Sequence, residues 1–179
     1  PAPIHPCRSR CHIARIPDRH HPLMDSRFNR RTLGSLLLLA GLFALIIGAK
    51  FIVIDQYGSD LPEWDQWNAE GLHILLPWQQ DSLTAGDFFR PHNEHRIVLT
   101  KMLGLAEVAI NGQWDSRLQC VVNAMLHAAL ALGFFVAGRR VLPGRWHAPW
   151  FAFLAAAFGL PLAWQNVIAG FHSQQYFLL

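Results

Sequence analysis

The chain has 179 residues, 52% of them hydrophobic and 15% charged, with a net charge of +3. Soluble domains carry about 25% charged residues, so the charge content is too low for a disordered or nucleic-acid-binding chain and argues against an ordinary soluble domain. How the charges are distributed defines the class.

Residues 1–31 carry seven Arg against Asp18 and Asp25, a block of +5. Residues 55–115 carry ten acids against Arg90, Arg96 and Lys101, a block of −7. Arg117, Arg139, Arg140 and Arg145 make a third block of +4. Between the blocks, residues 33–54 and 118–137 hold a single charge, Lys50. Apolar runs alternating with charge blocks predict an all-α polytopic transmembrane helix bundle.

Residues 1–32 read as a disordered, basic cytoplasmic tail. Its first 23 residues hold five Pro and show no periodicity, which suits a tail or sequence upstream of a start at Met24. Cys7, Cys11 and Cys120 form neither a disulfide framework nor a zinc spacing. The run 33–54 predicts transmembrane helix 1, since a bilayer core of about 30 Å needs about 20 helical residues. Arg27, Arg30 and Arg31 precede it, so the positive-inside rule puts the N-terminus in the cytoplasm. The rival, a cleaved signal peptide, would have a shorter apolar region and an A-x-A-like site. Gly34, Gly41 and Gly48 recur every seven residues and predict a face packed against another helix.

Residues 55–117 then form a periplasmic loop with amphipathic helices lying in the interface. A first helix is expected from Leu61, with Asp60 as its cap and Pro62 and Glu63 in its first turn. Trp64, Trp67 and Leu75 would share its apolar face, and Glu63, Gln66 and Glu70 its polar one. Residues 96–110 predict a second interfacial helix, because 15 residues reach only about 22 Å. Between them lies the densest polar cluster, Arg90-Pro91-His92-Asn93-Glu94-His95-Arg96, in which Asn93 or Glu94 is positioned to cap the next helix. His92 and His95 are three apart and lack the H-E-x-x-H order of a metalloprotease helix. Residues three apart can still converge on a metal with an Asp or Glu from elsewhere, so a divalent metal stays open though not indicated, and no other cofactor is expected.

Transmembrane helix 2 is predicted over 118–137, followed by a cytoplasmic loop at 138–148 marked by Arg139, Arg140 and Arg145. Asn111, Asp115, Gln119, Asn123 and His127 are spaced by four and predict a polar ridge, used for interhelical hydrogen bonds or for lining a cavity. Transmembrane helix 3 is predicted over 149–164, with Trp146, Trp150 and Trp164 as interfacial anchors. Residues 165–179 then form an outer turn and the start of a fourth span, so the sequence reads as the N-terminal portion of a larger protein.

The order of these features resembles the N-terminal part of the GT-C-fold membrane glycosyltransferases, whose relatives include protein O-mannosyltransferases and lipid A aminoarabinose transferases. The segments that carry the resemblance are Asp60-Leu61-Pro62-Glu63-Trp64-Asp65-Gln66-Trp67, Pro91-His92-Asn93-Glu94-His95-Arg96, and Trp164-Gln165-Asn166-Val167 with Gly170-Phe171-His172-Ser173-Gln174. They are similar to motifs of bacterial members, and the resemblance extends over residues 24–179. It implies an enzyme of the bacterial inner membrane that transfers a sugar from a polyprenyl-phosphate donor to an acceptor at the periplasmic face. The family carries an acid soon after its first span. The mannosyltransferases have an adjacent Asp-Glu pair where this chain has Glu63-Trp64-Asp65, so Asp65 is the expected base and Glu63 its alternate. A carboxylate suits proton transfer from an attacking hydroxyl, and an Arg or imidazolium suits the departing lipid phosphate. Arg96 with His92 or His95 is accordingly expected near phosphate. Asn93 and Glu94 would orient them or bind sugar hydroxyls, and His172 and Gln174 would face the same cavity. Implied partners are the polyprenyl-phosphate-linked sugar, the lipid bilayer and an acceptor, with no nucleic acid. The alternative classes are a transporter or flippase that uses the polar ridge, and a non-catalytic membrane assembly protein.

Overall fold

A computed structural model describes residues 26–178, with side chains from residue 32 onward. The tail expected over residues 1–23, with Cys7 and Cys11, lies outside the described residues. Among the described residues every regular element is helical, and the one β feature is an isolated bridge between His92 and His95.

Helix α1 (Ser26–Tyr57) and helix α5 (Ser116–Val141) form the frame. They run antiparallel, as contacts at their two ends show. At one end Arg117 bonds the carbonyl of Gly58 at 3.1 Å and the carboxylate of Asp60 at 2.9 Å. At the other, Arg139 Nη1 donates to Ser35 Oγ at 3.0 Å, and its guanidinium lies over the Phe135 ring. Asp115 starts α5 by accepting the Leu118 N–H at 2.9 Å. Arg139 and Arg140 occupy its last turn, where cations suit the helix dipole.

The seam between the two helices follows from side-chain size. Helix α5 offers Cys120, Ala124, Ala128, Ala131 and Phe135 at helical spacing to the apolar cluster that holds Leu42, Ile46, Val53 and Ile54 of α1. Small residues let two backbones approach closely when lipid supplies no hydrophobic contrast. The glycine stripe is not that seam. A Cβ added at Gly34, Gly41 or Gly48 would meet nothing within 4 Å, so the face expected to pack against another helix is uncovered inside this chain.

Both Thr32–Tyr57 and Ser116–Val141 are long and apolar enough to cross a membrane. Only 28% and 33% of their most apolar windows are buried within the chain. The core helix of a soluble protein would be mostly covered. Here Leu36, Leu37, Leu45, Phe51 and Ile52 stand exposed on α1.

Helix α6 (His147–Gly159), entered through a 3₁₀ turn at Gly144–Trp146, packs against both. Trp150 Nε1 donates to the Phe134 carbonyl at 3.1 Å, with its indole against Gly138. The span expected over 149–164 is shorter than that. Pro161 disfavours a helical Leu160, which adopts φ −66° and ψ 141°, and α6 stops after 13 residues, about 20 Å. The start of a fourth span is likewise replaced by short pieces: α7 (Trp164–Ile168), a 3₁₀ turn at Gly170–His172, and α8 (Ser173–Phe177). Their Val167, Ile168, Phe171 and Tyr176 are buried.

The outer loop also differs in detail. Residues 60–65 are irregular, and Asp60 pairs with Arg117 instead of capping a helix. A π-helical segment, Trp67–Leu75, runs directly into α2 (Leu76–Gln79). Helix α3 (Ala85–Phe89) begins where the Asp87 carboxylate accepts the N–H and hydroxyl of Thr84 at 2.9 and 2.8 Å. Helix α4 (Val98–Asn111) lies close to the expected 96–110 and ends at Gly112, whose φ of 75° suits glycine. Its N-cap is Ile97, without a side-chain bond, so neither Asn93 nor Glu94 caps it. The polar ridge is also divided. Asn111 ends α4, Asp115 caps α5, and only Gln119, Asn123 and His127 lie within α5.

Ala128 is fully buried in the seam. Ala128→Leu should force α1 and α5 apart at an overpacking cost of about 1–3 kcal/mol. Thermal unfolding in detergent should shift down by several degrees, whereas Ala129→Leu, on the exposed face of the same helix, should leave it unchanged.

Candidate functional site

Three separate stretches of sequence meet at the outer-loop end of the α1–α5 frame. The first is the turn entering the π-helical segment. Asp65 accepts the N–H groups of Asn68 and Ala69 at 3.1 and 2.8 Å through its backbone carbonyl. Trp64, just before it, has φ 36°, a left-handed conformation uncommon for a bulky residue. The second stretch is a two-residue turn. His92 and His95 exchange backbone bonds of 2.8 and 3.0 Å, and Asn93 takes φ 51°, which asparagine tolerates. The third is the 3₁₀ turn at Gly170–His172.

The His92 imidazole faces the Asp65 carboxylate, with Nε2 3.5 Å from Oδ2. The histidine side chain is 8% exposed and the aspartate 57%, so the imidazole is fixed while the carboxylate remains accessible. Asn93 Nδ2 lies 3.5 Å from the same Nε2. Phe171 meets the His92 ring edge-on at 6.0 Å. Burial holds the His172 imidazole below its ordinary pKa, and the Asp65 carboxylate acts in the opposite direction. Asp65, His92 and His172 thus belong to one electrostatic neighbourhood, although 107 positions separate Asp65 from His172.

The remaining expected residues are placed differently. Glu94, His95, Arg96 and Gln174 line a cavity of about 580 Å³, together with Thr100 and several apolar side chains. Asp65, His92 and Asn93 are not among its lining residues. Ser173 Oγ donates to Thr100 Oγ1 at 2.9 Å and holds the 3₁₀ turn and α8 against α4 beside that cavity. Glu63 is half-buried, and its N–H donates to Gln66 Oε1 at 3.2 Å. Among the described residues no three His, Cys, Asp or Glu side chains are grouped so as to hold a metal.

Behind Asp65 lies a cluster that amphipathic patterning hid. Gln66, Glu70 and Gln119 are 0%, 3% and 2% exposed. Gln66 Nε2 and Gln119 Nε2 donate to Glu70 Oε2 at 3.1 and 3.0 Å, and Gln66 Nε2 also donates to Gln119 Oε1. Gly104 and Gly170 leave room for it. A Cβ at Gly104 would sit 2.8 Å from Glu70 Oε1, and one at Gly170 within 3 Å of both glutamines. The face expected to be polar and outward is therefore the buried one, while Trp64 and Trp67 are 90% and 52% exposed. The sequence signal was present: Gln66 and Glu70 are four apart, and Gln119 is an amide in an apolar helix.

Burial pushes the Glu70 carboxyl above its ordinary pKa, against the bonds from Gln119 and Gln66 that pull it down. Burial, reinforced by Glu70, raises Glu107 on α4 to about 7. Lys101, fully buried, donates to the carbonyls of Asp87 and Arg90 at 3.0 and 2.7 Å and anchors the approach to the His92 turn; burial lowers its pKa. Within α5, Asn123 Nδ2 donates to the Gly170 carbonyl at 2.5 Å, and His127 stacks on Tyr176 at 4.8 Å. Of the polar ridge, Asn123 and His127 thus hold the 170–176 segment, while Gln119 joins the Glu70 cluster.

No family model matches the chain, and neither a curated protein nor a solved structure is similar to it.

Glu107 gives a pH prediction. A carboxyl whose folded pKa lies above its unfolded value of about 4.5 makes the folded state bind the extra proton, so stability falls as pH rises from about 4.5 to about 7 and is level above. Because the side chain is partly exposed, the effect should be on the order of 1 kcal/mol. Glu107→Gln should raise the melting temperature by about 2–4 °C at pH 8 and leave it unchanged at pH 4. An equal shift at both pH values would contradict the assignment.

Proposed function

We propose that this chain belongs to a polytopic membrane glycosyltransferase of the GT-C class, which transfers a sugar from a polyprenyl-phosphate donor to an acceptor at the periplasmic face of a bacterial inner membrane. The observation that carries the reading is the Asp65–His92 pair, with Phe171 and His172 beside it. The three segments on which the family resemblance rests are distant in sequence, and each contributes a side chain to this one neighbourhood.

The chemistry follows from what each group supplies. The Asp65 carboxylate is accessible and aimed by His92, so it is the base that takes the proton of an acceptor hydroxyl. As that oxygen bonds the anomeric carbon, the bond from this carbon to the phosphate oxygen breaks, and the electron pair leaves with the lipid phosphate. Positive charge developing at the sugar carbon is stabilised by a nearby carboxylate, for which Glu63 is the second candidate. Arg96 and His95 line the cavity with Glu94 and Gln174, on walls that are otherwise largely apolar. An anionic headgroup followed by a prenyl chain suits that combination. The N-terminus lies in the cytoplasm, α1 and α5 cross the bilayer, and the acidic 55–115 loop is on the outer side, with Trp64 and Trp67 at the interface.

The test uses the full-length protein in proteoliposomes with a panel of radiolabelled polyprenyl-phosphate hexoses. Asp65→Asn should lower transfer by about 10²- to 10⁴-fold with an unchanged melting temperature. If Asp65→Asn and Glu63→Gln both leave transfer intact, the catalytic assignment is wrong. For orientation, Gln80→Cys, in the exposed turn after α2 and in a background lacking the native cysteines, should react with an impermeant thiol reagent in intact cells. Labelling only after lysis would invert the topology.

A further inference from the structure

We propose that Gln66, Glu70 and Gln119 are positioning residues that hold the base-bearing turn, so that the wall of α5 sets where Asp65 points. The inference rests on the reading of Asp65 as the base.

The backbone bonds of the turn, from the Gln66 N–H to the Glu63 carbonyl and from the Asn68 and Ala69 N–H groups to the Asp65 carbonyl, run to the segment that follows it. Residues 60–65 are irregular, Trp64 is left-handed and 90% exposed, and the Asp65 side chain is more than half exposed. A backbone in that conformation persists only where its surroundings fix it. The surroundings here are a chain of bonds running inward. The Glu63 N–H donates to Gln66 Oε1 at 3.2 Å, so the side chain after Asp65 grips the backbone before it. Gln66 Nε2 is in turn held by Glu70 Oε2 and Gln119 Oε1, and Gln119 Nε2 closes the triangle on Glu70.

Each group in the triangle is almost inaccessible to water, and each bond satisfies a partner that burial would otherwise leave unpaired. Gly104 and Gly170 approach from α4 and the 3₁₀ turn, closer than any side chain would permit. The second of these belongs to the segment that brings Phe171 to His92. The triangle therefore ties the turn carrying Asp65 to the helix wall, and its two glutamines pack against the segment supporting His92. Glu70 makes no contact with the accessible side of Asp65, so its effect on transfer is exerted through geometry.

The Glu63 amide reports on this arrangement directly, because its bond acceptor is the Gln66 side chain. Hydrogen exchange is measured on the full-length protein in nanodiscs. Glu70→Ala should speed exchange of the Glu63 N–H by about tenfold or more, the size expected for losing a bonded buried carboxylate, while amides of 124–135 in α5 keep their protection. Glu70→Gln, which still offers an acceptor oxygen, should restore most of it. With the polyprenyl-phosphate hexose panel, Glu70→Ala should lower kcat with little change in KM, and should add nothing in an Asp65→Asn background.

Unchanged exchange at Glu63, or exchange that rises equally throughout α5, would overturn the positioning role. So would faster exchange at Glu63 with kcat unaffected. Failure of the catalytic reading looks different: Asp65→Asn would leave transfer intact whatever the exchange data show.

Discussion

A carboxylate almost cut off from water must be surrounded by donors or it neutralises. Burial pushes Glu70 toward the neutral form, and two glutamine amides, one at the turn that leads into its own helical segment and one on α5, pull against it by donating to Oε2. The outer loop depends on this. Without the triangle, the π-helical segment would have little reason to present Gln66 and Glu70 inward and to leave two tryptophans on the outside. The glycines at 104 and 170 are the steric counterpart of the same requirement, since any larger residue would intrude on the bonded oxygens and amides.

The frame was legible because long apolar helices obey simple rules. Length and lack of charge marked residues 33–54 and 118–137, and the described helices extend a few residues past both. Caps and breakers then set limits that hydropathy alone misses. Asp115 starts α5, Gly112 closes α4, and Pro161 stops α6 too early for residues 149–164 to form one continuous helix. The glycine heptad on α1 marks a narrow face, but spacing does not say what covers it, and within the chain a Cβ at any of the three would meet nothing within 4 Å. Alanines on α5, at less conspicuous spacing, make the actual seam.

The site was legible in part. Motif segments could be picked out, and Asp65 and His92 prove to be neighbours, but the pairing came from folding and was not written in their spacing. The inward network was misassigned for a physical reason. Amphipathic reasoning assigns polar residues to water by default, and the opposite arrangement is stable only when a distant partner completes the bonds. Gln119 is that partner, 49 positions after Glu70. A single helix wheel cannot contain it.

The π-helical geometry of Trp67–Leu75 has one more consequence. With bonds reaching five residues back, the segment accommodates one residue more per turn than an α-helix does. Deleting any residue within it would let the backbone relax to the commoner helix without unravelling. Because the wider turns had taken up that residue, the stretches on either side, with Gln66 at one end and α2 at the other, would keep roughly their relative phase, and the change would fall on the side chains inside the segment.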